Sequence, residues 1–198
     1  LAHIETTFGF PAQGVLHDLM AESTGALLAM NHDAINVGLE GEVEAQTVNV
    51  VNSLWPRTGL ELKSPFLDEM SLSYDTGVYP VDYADATEAA RQAINGWVSD
   101  QTNDLISELI PAGILTRDTQ LTLVNAVYLK APWASPFRVE ATSDGFFYGR
   151  STSGAVERTV PYMHGQAGVS TGLVDAGEAG TLRVVEIPYG HGDLSFVA

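Results

Sequence analysis

The clearest alternation of apolar and polar positions runs through Leu121–Trp133, LTLVNAVYLKAPW. Leu121, Leu123, Val127 and Leu129 fall on one face with Asn125 among them, while Val124, Ala126 and Tyr128 fall on the other. Apolar residues on both faces predict a central strand, buried on both sides. Asn125 interrupts that pattern. A buried amide without a partner costs about 1–3 kcal/mol, so the sequence demands a hydrogen bond from Asn125 to a neighbouring strand. Taken alone, such a residue is a satisfied core Asn.

The remaining pattern divides the chain into strands and helices. Val15, Leu16, Leu19, Met20, Leu27 and Leu28 predict a helix over Gln13–Met30 with a weak point at Gly25. Val43–Leu54 reads as a strand that ends at Trp55-Pro56, because proline cannot donate to a ladder. Phe66–Leu72 reads as a short helix and Val78–Val81 as a short extended piece. Ala89, Ala93, Ile94, Trp97, Val98 and Leu105 recur at helical spacing, with Asp85 and Glu88 placed as a variant capping box, so this helix should cover a sheet face and bury Trp97. Val184–Tyr189 and Leu194–Val197 flank the turn residues Gly190-His191-Gly192-Asp193 and predict a hairpin. Gly168–Gly180 reads as a loop joining two strands. Strands and helices alternating without βαβ regularity indicate an α+β architecture.

Set in order, INGWVSDQTNDLI (94–106), NAVYLKAPW (125–133), FRVEATSDGF (137–146), VPYM (160–163) and VVEIPYGHGDLSFVA (184–198) resemble the serpin family of protease inhibitors and conformational-change proteins. VNVVNSLWPRTGLELKSPFLDEMSLSYDTGVYPVDY (48–83) resembles the strand, helix and strand that precede the crossing helix in that family. The resemblance implies a large mixed β-sheet A crossed by a helix, plus parts of sheets B and C, in one serpin domain over 1–198. That domain is incomplete, covering about the middle half of a serpin without its N-terminal helices and C-terminal reactive loop. Beginning at Leu1 rather than Met, the chain reads as a processed or partial product.

What the resemblance implies for function is a suicide-substrate inhibitor. A reactive loop is cut by a serine or cysteine protease and inserts as a new strand into the main sheet, carrying the acylated enzyme with it. Asn125 matches the family's shutter position, whose hydrogen bonds hold the strands until the loop arrives. Trp133 matches the breach, where insertion begins. The P1 residue of the reactive loop lies outside this chain. Two places depart from the family: Ala131-Pro132 stands where a glycine commonly precedes the breach Trp, and Asn103-Asp104-Leu105 replaces the usual Gly-Lys.

Charge and composition narrow the partners. Nine Lys and Arg against 25 Asp and Glu give a net charge of −16, which disfavours nucleic acid and anionic membranes. With no cysteine there is no disulfide, thiolate metal site or cysteine nucleophile. No run of about 18 apolar residues and no basic start with an apolar h-region occurs, nor any N-x-S/T acceptor.

Enzyme chemistry finds little support. His3, His17, His32, His164 and His191 include no pair at metal-ligand spacing, and no G-x-S-x-G elbow appears. Gly190-His191-Gly192 lacks the third glycine and following helix of a phosphate loop, and Asp85 is better used as a helix cap than in a carboxylate pair with Asp82. No catalytic, cofactor-binding or metal-ligating residue is assigned, and no cofactor is expected. The expected activity is serine-type endopeptidase inhibition, with a serine or cysteine protease and the remaining segments of the same serpin as partners. The alternatives are a non-inhibitory serpin acting as carrier, chaperone or storage protein, and an unrelated acidic α+β enzyme. The compartment stays open between extracellular, which the resemblance favours, and cytoplasmic.

Overall fold

The computed structural model describes residues 11–36, 42–151, 154–165, 168–175, 177 and 180–198. In chain order the elements are α1 (Gln13–Leu28), β1 (Ile35–Asn36), β2 (Glu42–Val43), β3 (Thr47–Pro56), α2 (Ser64–Tyr74), β4 (Thr76–Val78), α3 (Thr87–Gln101), β5 (Leu121–Lys130), a 3-10 turn (Val139–Ala141), β6 (Ser143–Ser151), β7 (Gly154–Tyr162), β8 (Ser170–Asp175), β9 (Thr181–Pro188) and β10 (Ser195–Val197). They sort into two compact units. One holds the residues up to Asn31 together with Thr47–Lys130, the other His32–Gln46 together with Ala131–Ala198.

The first unit is built on a mixed sheet of order β4-β3-β5. β3 and β5 pair antiparallel from Thr47↔Lys130 to Pro56↔Leu121, and β4 adds parallel to β3 at Asn52–Leu54. Pro56 sits at the very end of β3, where the missing N–H costs the ladder least. α3 lies over the face carrying Ser53, Trp55 and Val124, and buries Ala90, Ile94, Asn95 and Val98. Burial of Ile94 and Val98 contributes about 1.5–3 kcal/mol each to this contact. Trp97 is half-buried rather than buried, because it lies to one side of the stripe, edge-on to Trp55 at 6.2 Å between ring centroids.

Tyr83 joins the two long strands from below α3. It is fully buried, its hydroxyl donates to the Trp55 carbonyl at 2.9 Å, and it shares a second 2.9 Å hydrogen bond with the Thr122 hydroxyl. Burial raises its phenol above the usual range, against the opposing pull of the Thr122 bond.

The expected capping box at Asp85 and Glu88 does not form. The helix starts at Thr87 with Ala86 as an N-cap that makes no side-chain bond, so Glu88 stands one position too early to reach back. Asp82 instead accepts the backbone N–H groups of Ala84 and Asp85 at 2.9 and 3.0 Å, and Glu88 pairs with Arg91. Beyond the helix, Asn95 exchanges two hydrogen bonds with the Ile110 main chain, at 2.9 and 2.8 Å, and Arg91 donates to the same carbonyl. These bonds pin the long connection to β5 against α3.

At the C-terminus of α3, Asn103 and Asp104 have φ of +48° and +62°. This is the place where the family resemblance leads one to expect glycine. Asn and Asp are the non-glycine residues that best tolerate this left-handed region, which explains how the chain keeps the turn without glycine.

The opposite sheet face receives α1 and α2. Asn31, just after α1, donates to the Val48 carbonyl at 2.9 Å and accepts its N–H at 2.7 Å. Gly25 does not interrupt α1, which runs through to Leu28; a helical glycine costs only about 1 kcal/mol relative to alanine.

The prediction of a central strand with two buried faces is corrected for β5. Val124, Ala126 and Tyr128 are buried as expected, but Leu123, Val127 and Leu129 are 69, 60 and 47% exposed. The physical reason is coverage: α3 shields one face, whereas no described element covers these three leucine and valine side chains on the other. Among the described residues β5 is also the outer strand of its sheet.

In the second unit β6 and β7 form a hairpin from Ser143↔Tyr162 to Ser151↔Gly154, and β8, β9 and β10 form an antiparallel sheet of order β10-β9-β8. The predicted hairpin at the end of the chain is β9–β10, with Ile187 opposite Phe196 and Gly192 at φ +87° in the turn. Gly168–Gly180 was expected to be loop and in fact contains β8, paired with β9 from Ser170↔Glu186 to Asp175↔Thr181. Every residue of β8 is exposed, so main-chain pairing rather than burial makes it a strand, and a hydrophobic pattern carries no trace of it. Residues 176, 178 and 179 of that stretch lie outside the described residues.

The β9–β10 turn is pinned by its own polar cluster. Asp193 accepts from Gln46 Nε2 at 3.0 Å and lies 2.7 Å from His32 Nε2, while the His32 and His191 rings stack at 4.8 Å. The His32 hydrogen bond, then that of Gln46, holds the Asp193 carboxyl below the usual carboxylate range.

Two expectations follow from these elements. Asn103→Val places a β-branched residue at positive φ and should destabilise the first unit by about 1–2 kcal/mol, read as a lower urea midpoint at unchanged slope. Because the folded-state pKa of Asp193 is depressed, its contribution is fully present above the unfolded value near about 3.9 and is lost as pH falls through the folded value. Thermal midpoints followed downward from neutral pH should therefore fall less steeply at the acid end in Asp193→Asn than in the parent chain.

Candidate functional site

Asn125 lies near the middle of β5, opposite Asn52 of β3. Its Nδ2 donates to Asn52 Oδ1 at 2.9 Å and approaches the Val51 carbonyl at 3.4 Å. Asn52 in turn donates from its own Nδ2 to the Tyr74 carbonyl at 2.9 Å, where α2 gives way to β4. The two amides thus form a directed chain from β5 through β3 to the end of a helix. The expected hydrogen bond to a neighbouring strand is present, but the expected burial is not: Asn125 is exposed, on the uncovered face with Leu123 and Val127.

Asn52 was missed by sequence reasoning. The signal available was a second amide interrupting a second apolar strand, in VNVVNSLW (48–55). Alternation alone could not tell which residues of β3 stand opposite those of β5, because register is set by pairing.

Beside the amides, Asn52, Ser53, Met70, Tyr74, Thr76, Leu123, Val124 and Asn125 line a recess of about 240 Å³. On its far wall Tyr74 reaches α1: its hydroxyl lies 2.8 Å from His17 Nδ1, and the two rings meet edge-on at 5.5 Å. Glu69 lies 3.7 Å from the same nitrogen and accepts from the Ser73 hydroxyl. Burial, and next the Glu69 carboxylate, raises the Tyr74 phenol above its usual range, so it remains a proton donor.

Trp133 belongs to the second unit and bridges antiparallel to Tyr189. Its indole stacks on the Tyr189 ring at 4.7 Å and meets Phe137 and Phe196 edge-on at 5.8 and 6.2 Å. Gly190 N–H donates to the Pro132 carbonyl at 2.7 Å. A Cβ at Gly190 would come within 2.9 Å of Val43 Cγ1 and 3.2 Å of the Pro132 ring, so the proline that departs from the family pattern is accommodated by a glycine across from it. A cavity of about 510 Å³ opens beside Trp133, with Glu42 and Glu44 on its rim.

Of the four described histidines only His32 and His191 meet, ring on ring. His17 meets Tyr74, His32 meets Asp193, His191 bonds the Glu44 carbonyl at 2.8 Å, and His164 Nε2 lies 3.0 Å from Ser143 Oγ. The Ser143–His164 contact is exposed, and no carboxylate is hydrogen-bonded to His164 among the described residues, so nothing there orients a base toward a nucleophile. His3 lies outside the described residues.

The family model described as Serpin (serine protease inhibitor) matches residues 2–198. Human Serpin B4 is 32% identical over 154 residues, covering 78% of this chain and 38% of that protein. The leukocyte elastase inhibitor of Xenopus tropicalis is 31% identical over 171 residues, covering 86% of this chain and 44% of that protein. The crystal structure of native protease nexin-1 with heparin superposes with a TM-score of 0.76 at 24% identity, covering 98% of this chain and 48% of that one. The chain thus spans less than half the length of these relatives. A mixed sheet crossed by a helix, a second unit of antiparallel strands and a match along nearly its whole length place the chain in the serpin family, whose members are described as protease inhibitors rather than enzymes.

Proposed function

We propose that this chain supplies the strand-accepting sheet of a serpin-type inhibitor of serine proteases, and that both units belong to one serpin domain. The observation that supports this most is the outer edge of β5: a ten-residue strand with no described neighbour on that side and with Leu123, Val127 and Leu129 bare on one face. An uncapped, apolar edge of this length is a template for another strand.

The reactive loop, cut by the protease and still bound to it as an acyl-enzyme, adds beside β5. It gains a ladder of backbone hydrogen bonds and covers apolar side chains, which makes insertion favourable. Meanwhile β5 must accept its new neighbour without parting from β3. The Asn125–Asn52 pair is the latch assigned to that hold, the shutter of the family resemblance. Trp133, just beyond β5 in sequence, is assigned to the breach, where insertion begins. The names of the relatives support a serine protease as target, with a cysteine protease as a narrower second class.

Incubating the complete protein with a panel of serine proteases tests the proposal. An SDS-stable complex with at least one of them is expected; cleavage of the loop by all of them without any such complex would sink it. Asn125→Ala in the same protein should lower the unfolding free energy of the uninserted form by about 1 kcal/mol and raise the rate of loop exchange between molecules, read by denaturant melts and native gels. Unchanged stability together with unchanged polymerisation would remove Asn125 from the role.

A further inference from the structure

We infer that His17 is a pH-sensitive positioning residue for the Asn52–Asn125 latch, acting through Tyr74. The inference rests on reading that amide pair as a latch, and it adds a control that the strand-insertion reading does not contain.

The chain of contacts is continuous. His17 Nδ1 pairs with the Tyr74 hydroxyl at 2.8 Å, the Tyr74 carbonyl accepts Asn52 Nδ2 at 2.9 Å, and Asn52 Oδ1 accepts Asn125 Nδ2 at 2.9 Å. One residue therefore takes hold of α1 with its ring and of the sheet with its backbone. Tyr74 stands at the last position of α2, with Asp75 already left-handed at φ +46°, so its carbonyl sits at the point where the helix turns into β4. Where the phenol is held determines where that carbonyl points.

His17 is the imidazole of this chain of contacts, and one of its two nitrogens has no acceptor within reach among the described residues. Its side chain is only 14% exposed, and Nε2 is sealed from solvent with no hydrogen-bond partner among the described residues. A neutral imidazole can leave one nitrogen as a bare lone pair, whereas an imidazolium has two N–H donors that both require acceptors. Protonation therefore puts an N–H at Nε2, where no described residue accepts it, while the only described carboxylate near the ring lies on the Nδ1 side.

The groups that face His17 offer one alternative. From α2 come the Glu69 carboxylate, 3.7 Å from Nδ1, and the Tyr74 phenol; β3, also packed against α1, carries no titratable side chain. An imidazolium gains most by turning toward Glu69 or withdrawing to water, and either movement gives up Tyr74. The end of α2 then loses its tie to α1, the Tyr74 carbonyl is released, and Asn52 is no longer aimed at Asn125. β5 is held less firmly once the ring carries its second proton.

Hydrogen exchange of the β5 amides in the complete, uninserted protein, corrected for the intrinsic effect of pH, tests this directly. Between about pH 7.5 and about pH 5.5, protection of β5 should fall about fivefold, the loss expected for one net hydrogen bond. His17→Asn keeps a polar group near Nδ1 but does not titrate, and should retain high protection at both pH values. Tyr74→Phe should show the low value at both, and Asn52→Ala likewise, with circular dichroism confirming that each variant is folded. No step in the parent protein overturns the inference, as does a step that survives in His17→Asn or Tyr74→Phe. Protease complex formation is scored separately: a complex without a pH step removes the relay and leaves the inhibitory reading standing, and a step without a complex does the reverse.

Discussion

The β3–β5 ladder is the constraint on which the first unit depends. Its register puts Ser53 beside Val124 on the face that α3 covers and Asn52 beside Asn125 on the other, so one alignment decides both the core and the latch. A slip of one residue would exchange the two faces, turning the amides into the core and Val124 out of it. Tyr83 guards against that slip. Its buried hydroxyl needs the Trp55 carbonyl and the Thr122 hydroxyl together, and only the observed pairing of Trp55 with Thr122 brings them side by side.

Among the described residues the two faces of the sheet are held differently. α3, Trp55, Tyr83 and Val124 form a packed core that is costly to disturb. The Asn125 face is tied to β3 by a few directed hydrogen bonds, each worth about 1 kcal/mol net. The polar cluster around Asp193 and the stacked aromatic rings around Trp133 play the fixing part in the second unit.

Much of this was legible in the residues. The helical recurrence of Ala89, Ala93, Ile94, Trp97 and Val98 gave α3, alternation gave β5, and Gly190–Asp193 gave the final hairpin. Where pattern failed, burial was not the cause of structure. β8 is a wholly exposed strand made by pairing, and the capping box failed because the helix begins two residues beyond Asp85. Asn103 and Asp104 show the reverse case, in which backbone geometry kept what glycine would have supplied.

By itself the sequence determined the α+β class, the run of apolar residues that becomes β5 and the need for Asn125 to find a partner, since these depend on local periodicity and on the cost of an unpaired amide. Tertiary structure alone decided that the partner is Asn52, and that Asn52 leans on Tyr74 and Tyr74 on His17. Those facts join residues as much as 73 positions apart, and only the pairing register and the packing of helices onto strands can bring such distant side chains within a hydrogen bond of one another.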